Sequence, residues 1–152
     1  MKSTKLSKNE RLRLILVKPW WKRTGMEGRR LKRALRPFFA NIEVDQGCHL
    51  WKGAVHDSGY GAVKFTGRFY YSHVLMWMAM MGPIPRLAGE MAELDHLCRD
   101  RLCCFLDHIE PVTAQVNSLR SNSPGSIAWR KKHGLEPDEV TMEVCLRLGS
   151  EQ

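Results

Sequence analysis

The sequence predicts an α+β fold: a small antiparallel β-meander, a metal-stapled strand-loop-helix unit, a basic N-terminal arm and a short C-terminal extension. Residues 47–72 hold short β-rich runs separated by Gly-containing turns. Residues 95–108 gather three cysteines and two histidines at ligand-like spacing. The first forty residues carry the positive charge. They hold thirteen Lys/Arg against two acids, a net of +11, whereas residues 41–152 hold eleven against fourteen, a net of −3.

At 152 residues and 43% hydrophobic content, the chain is expected to form one domain with arms. In the arm, residues 1–40, Leu12 and Leu14–Val17 form one apolar patch, which Pro19-Trp20-Trp21 interrupts. Leu31, Leu35, Phe38 and Phe39 form a second patch at helical spacing, with Pro37 expected to end that helix. An arm with this charge suits an anionic partner, nucleic acid or an anionic membrane. The run Leu14–Val17 is far too short to span a bilayer or to act as a signal-peptide core. A reducing cytoplasm is therefore expected, where five cysteines suit metal better than disulfides.

Cys48–Gly53, Tyr60–Phe65 and Arg68–Tyr71 read as the three strands of the meander. His73–Met81 is nearly all apolar and stops at Gly82-Pro83, so a buried helix is expected. Thr113 should cap a helix over 114–120. Residues 121–126 look like a linker. Pro137-Asp138-Glu139 favours a helix start in the tail, although Val140, Met142, Val144, Leu146 and Leu148 also alternate like a strand. The expected division is arm 1–40, central domain 41–121 and extension 122–152.

Zinc takes four thiolate or imidazole ligands in tetrahedral sites. Cys98, Cys103 and His108, at successive spacings of five, supply three. Cys48 is the best fourth candidate, with His49 or Cys104 as competitors, and Cys145 reads as a small buried hydrophobe. A closed four-ligand shell would make this zinc structural. Beside it, Asp95 and Asn117 offer oxygens suited to a hard cation, and a neutral histidine next to such a cation could act as a general base. That combination suits phosphodiester hydrolysis.

The motifs Cys48–Gly53, Gly59-Tyr60-Gly61, Gly82–Pro85, Leu94–Cys98, Cys103, His108–Thr113 and Asn117, in this order, resemble HNH endonucleases of the phage and homing type, within the His-Me finger (ββα-metal) superfamily. The spacing from His96 to Asn117 also resembles that of His-Cys box homing endonucleases. The resemblance covers about residues 40–121. It implies His96 as general base, Asp95 and Asn117 on one Mg²⁺ or Mn²⁺, and Cys48, Cys98, Cys103 and His108 on structural Zn²⁺. It further implies cleavage of double-stranded DNA to 5′-phosphate and 3′-hydroxyl ends, with no small-molecule cofactor and no membrane, and leaves open a homodimer. Two positions depart from the family: Phe105 stands where an asparagine usually braces the loop, and Val74 where an arginine is common. Arg68, Arg99 and Arg101 are candidates to contact phosphate in compensation, and Lys22, Arg23, Arg29, Arg30, Lys32 and Arg33 are further DNA-binding candidates in the arm. A zinc-stabilised DNA-binding protein without catalysis is the competing expectation.

Overall fold

The computed structural model describes residues 4–5, 26–65 and 67–149, and it is a mixed α+β structure built from several small antiparallel sheets. The expected Leu12–Val17 patch and the Trp20-Trp21 break, and with them Lys22 and Arg23, lie outside these residues.

Helix α1, Met26–Ala40, runs through Pro37 rather than stopping there. A mid-helix proline costs roughly 3 kcal/mol. Leu35, Phe38 and Phe39 are nearly fully buried in the largest core cluster, and that burial offsets the penalty. Asn41 closes the helix by donating its side-chain amide to the Pro37 carbonyl at 2.9 Å.

Strand β1 is the pair Thr4–Lys5, which joins the edge of β2, Ile42–Asp45. Strand β3, Cys48–Trp51, pairs with β2 antiparallel, with Ile42 opposite Trp51 and Asp45 opposite Cys48. Strands β4, Ala62–Phe65, and β5, Arg68–Tyr71, form a separate hairpin. The expected three-strand meander is thus divided, because β3 takes β2 as its ladder partner. The isolated bridge Val55–Gly61, with Ala62 N–H donating to the Ala54 carbonyl and His56 N–H to the Tyr60 carbonyl, links the chain after β3 to the hairpin. Gly61 sits where a Cβ would lie 2.4 Å from the Ser72 hydroxyl and 2.5 Å from the Trp51 ring, so this crossing needs glycine.

Helix α2, Ser72–Met80, is the expected buried helix, and its Leu75, Met76, Ala79 and Met80 pack against α1 residues and Trp51 in the same cluster. After the small ladder of β6, Arg86–Leu87, and β7, Glu90–Met91, comes the unit that carries the site. Strand β8, Glu93–His96, pairs antiparallel with β9, Ile109–Val112, and helix α3, Ala114–Arg120, follows. Thr113 caps α3 as expected, its hydroxyl accepting from the Val116 amide.

The segment expected to be a linker is structured from Ser123 onward. Ser123 caps helix α4, Pro124–His133, and Gly134 ends it in the left-handed conformation, with φ of 66°. A short 3-10 turn over Pro137–Glu139 leads to α5, Met142–Gly149, so the helical reading of the tail holds and the strand reading does not. Val140 and Cys145 bury against Val112 and Val116, which makes Cys145 a core residue.

Candidate nuclease active site and zinc centre

The ligand loop is assembled by β3. Leu50 and Cys103 form a bridge, Trp51 N–H donates to the Leu102 carbonyl at 2.8 Å, and Cys104 N–H donates to the His49 carbonyl at 2.7 Å. This lays Cys48, at the start of β3, beside the loop after β8. Asp100 tightens the loop by accepting from the Leu102 and Cys103 amides. As a result, one donor atom each from Cys48, Cys98, Cys103 and His108 falls within 4.8 Å of every other. The Nδ1 of His108 is 3.5 Å from the Cys48 sulfur and 3.6 Å from the Cys103 sulfur. Zn–S and Zn–N bonds of about 2.3 and 2.05 Å in a tetrahedron put sulfur and nitrogen about 3.6 Å apart.

The donor set therefore fits zinc, and all four residues match the expected ligands. Burial pushes the Cys48 and Cys103 thiols up, which favours the protonated form until a cation binds and draws the thiolates. The competitors take other places. Cys104 faces the main core, where burial raises its thiol to about 12. His49 packs its ring on Phe105 at 4.4 Å.

His96 ends β8 and is 5% exposed. Its Nε2 lies 3.0 Å from the Cys103 carbonyl oxygen. A carbonyl only accepts, so Nε2 carries the proton and the neutral ring keeps its lone pair on Nδ1. Burial lowers the His96 pKa from the ordinary histidine value, opposed by that hydrogen bond and by the neighbouring Asp95 charge. The bracing that an asparagine at position 105 would supply thus comes from backbone two residues earlier. Phe105 instead packs its ring edge-on against His108 at 4.9 Å.

Tyr60, Asp95, His96, Arg99, Arg101, Asn117 and Arg120 line one cleft, together with Ser121 and Asn122. The structure thus brings Asp95, His96 and Asn117 together. Asn117 donates its side-chain NH₂ to Glu93, which leaves its amide oxygen as the acceptor for a cation. Asp95, 7% exposed, is held by two guanidinium groups. Arg99 reaches both carboxylate oxygens, at 3.1 and 3.2 Å, and Arg120 reaches Oδ2 at 3.1 Å. Arg120 also bonds Glu110 at 2.6 Å and, through Nε, the Val140 carbonyl at 2.9 Å.

Of the candidate phosphate contacts, Arg99 and Arg101 line the cleft. Arg99 is shared between Asp95 and Asp138, and Arg101 lies over the Tyr60 ring at 5.2 Å while donating to the Ser58 carbonyl. Arg68 lies on the β4–β5 hairpin and does not line the cleft. Arg29 and Arg33 are exposed on α1 and Lys32 is half-buried there, whereas the side chain of Arg30 lies outside the described residues. Val74, the second departure from the family pattern, packs beside Trp77, Leu94 and Ile109.

Sequence reasoning missed Arg120 and His73. His73 contacts the His96 ring edge-on at 4.5 Å, and burial pushes its pKa down to about 3. A basic residue in the last turn of a helix looks like an ordinary solvated charge, and no local spacing marks Arg120 as the partner of Asp95.

The sequence profile of the HNH endonuclease family matches residues 70–119, a span that runs from the end of β5 through β8, the ligand loop and β9 into α3. Over that segment the chain is similar to HNH endonucleases. A 77-residue stretch of the chain is also 34% identical to Protein 2.8 of Escherichia phage T7. That match covers 49% of this chain and 49% of the relative, so it spans about half the length of the curated protein. No solved structure matches the chain. The matched segment thus holds Asp95, His96, Arg99, Arg101 and Asn117 of the cleft and three of the four clustered donors, while Tyr60, Arg120 and Cys48 lie outside it. Among the described residues, no helix is long and apolar enough to cross a membrane.

Proposed function

We propose that the protein is a metal-dependent DNA endonuclease that hydrolyses phosphodiester bonds with His96 as general base. The observation that carries this reading is the His96 ring. Its Nε2 is committed to the Cys103 carbonyl, and it shares a cleft with Asp95 and Asn117. Nδ1 would take the proton of the attacking water, and the lowered pKa keeps that nitrogen free of a proton at neutral pH.

Asp95 and the Asn117 amide oxygen would hold a Mg²⁺ or Mn²⁺ ion. The chemistry such an ion supplies is neutralisation of the phosphate and of the leaving oxygen. Arg101, at the cleft wall, would then contact a neighbouring phosphate. The Cys48, Cys98, Cys103 and His108 donors would hold structural zinc, and products would carry 5′-phosphate and 3′-hydroxyl ends. Exposed Arg29 and Arg33 would contact the DNA backbone, with the other basic residues of the arm.

One observation favours a second reading, a zinc-stabilised DNA-binding protein without catalysis. Both oxygens of Asp95 already accept from arginines, and the two guanidinium charges there oppose a cation beside the same carboxylate. Plasmid nicking with Mg²⁺ separates the two. Metal-dependent nicking that falls about 10²–10⁴-fold in His96→Ala supports the endonuclease. DNA binding with no cleavage in any divalent ion would establish the second reading.

A further inference from the structure

The β4–β5 hairpin turns one face to the core and one outward, and the outward face has an unusual composition. Across the ladder, Ala62 lies opposite Tyr71 and Lys64 opposite Phe69, so these four share a face. Val63, Phe65 and Tyr70 alternate to the other face, and all three belong to or pack on the main core. An antiparallel hairpin with one buried face normally presents polar residues on the other. Here the outward face presents two aromatic rings. Phe69 is 78% exposed and Tyr71 is 38% exposed. The Lys64 ammonium stands over the Phe69 ring at 5.9 Å, and Val55 and His56, with Asp57, line the groove beside them.

We propose that this face is a stacking platform for unpaired nucleotides of the DNA strand that enters the cleft. Aromatic residues at i and i+2 of one strand point the same way, and a sheet face of that kind stacks bases when the bases are not paired. Lys64, on the same face, supplies a cation for the phosphates of that strand. The platform is continuous with the catalytic cleft. Tyr71 stacks on His73, with ring centroids 6.0 Å apart and planes 9° apart, and tilts against Tyr60 at 5.1 Å. Both of those rings touch His96, at 4.5 and 5.8 Å. A base on the platform therefore sits one ring beyond the groups that surround the general base. The substrate class that follows is DNA with an unpaired stretch beside the scissile phosphate, and it rests on the endonuclease reading above.

The test uses the full chain in a His96→Ala background, so that binding is read without cleavage. Fluorescence anisotropy compares a fully paired duplex with the same duplex carrying a short unpaired stretch. The background protein should bind the second probe more tightly. Adding Phe69→Ala should weaken binding to that probe by about 5- to 150-fold, the range for loss of one base–aromatic stack, and barely change the duplex. The salt dependence should stay as it was, because no phosphate contact is removed. Phe69→Trp should restore the preference.

Equal loss on both probes, or none on either, would overturn the platform. A Phe69→Ala effect confined to self-association in sedimentation would assign the face to a second copy of this chain and also overturn it. Cleavage by the protein with native His96, without any Phe69 effect, sinks the platform alone. A Phe69-dependent preference with no metal-dependent cleavage keeps the platform and sinks the endonuclease reading.

Discussion

Burial holds the imidazoles of His73 and His96 neutral where a free histidine would titrate, with different consequences for each. For His96 the consequence is kinetic: the acid limb of the pH–rate profile should lie below about 6.5, the ordinary value. A limb at or above that value would show that the group titrating in the reaction is not this ring. For His73 the consequence is thermodynamic. Its folded pKa of about 3 lies below the unfolded value of about 6.5, so the unfolded chain binds the extra proton between the two. Its contribution to stability is complete above pH about 6.5, declines as pH falls and is gone below about 3. Denaturant titrations should therefore show a shallower decline toward acid in His73→Leu than in the wild type, and parallel curves would refute the assignment. The arginines of Asp95 should also separate. Arg120 is 3% exposed, so Arg120→Met removes the buried partner that Asp95 shares with Glu110 and the Val140 carbonyl, and should cost about 3–5 kcal/mol. Arg99 is one-third exposed, and Arg99→Ala should cost about 0–1 kcal/mol. Asp95, His96 and Asn117 were legible because each sits in a short run of recognisable residues. Arg120 was not, since its partners lie at 95, 110 and 140 and only the folded chain brings them together.

At the scale of elements, the ligand loop is held by two backbone hydrogen bonds to β3 and by whatever the four donors bind. Cysteines 98 and 103 and His108 could be read from spacing alone, but Cys48 lies fifty residues before Cys98 and depends on that pairing. Metal analysis of the purified protein should find one zinc per chain. A zinc-selective chelator should abolish the cooperative unfolding transition, whereas omission of Mg²⁺ should leave it intact. Retention of the full transition after zinc removal would make the cluster dispensable. Strand β2 escaped the sequence reading because Ile42–Asp45 is only four residues with two acids, and its strand character comes from pairing with β3. Helix α4 escaped for a related reason. Its start, Ser123-Pro124-Gly125-Ser126, has the composition of a linker, yet the serine caps and the proline occupies the first turn, where it is tolerated. Ser123→Ala should lower stability by about 1 kcal/mol, measured by thermal or denaturant unfolding.

Across the whole molecule, charge and core divide the labour. The α+β class was legible from composition and motif order. The arrangement of the sheets was not, because short strands choose partners by tertiary contact. The junction at residue 40 is likewise not a clean boundary, since α1 ends in the main core through Phe38 and Phe39. Arg29 and Arg33 remain exposed on that helix, and replacing both by Gln should reduce the slope of log affinity against log salt by up to about two while leaving the fold intact. An unchanged slope would remove these residues from the DNA contact. The tie from Arg120 to the Val140 carbonyl, with the Arg99–Asp138 pair beside it, bears on how the β8–β9–α3 unit can be transplanted. A graft or a minimal clone trimmed after residue 121 would carry every residue proposed for catalysis and still take away the acceptor that anchors Arg120. Such a fragment should express poorly, and one running through residue 149 should not. For protein engineering, the portable cassette is defined by who braces the carboxylate rather than by where the recognisable motif stops.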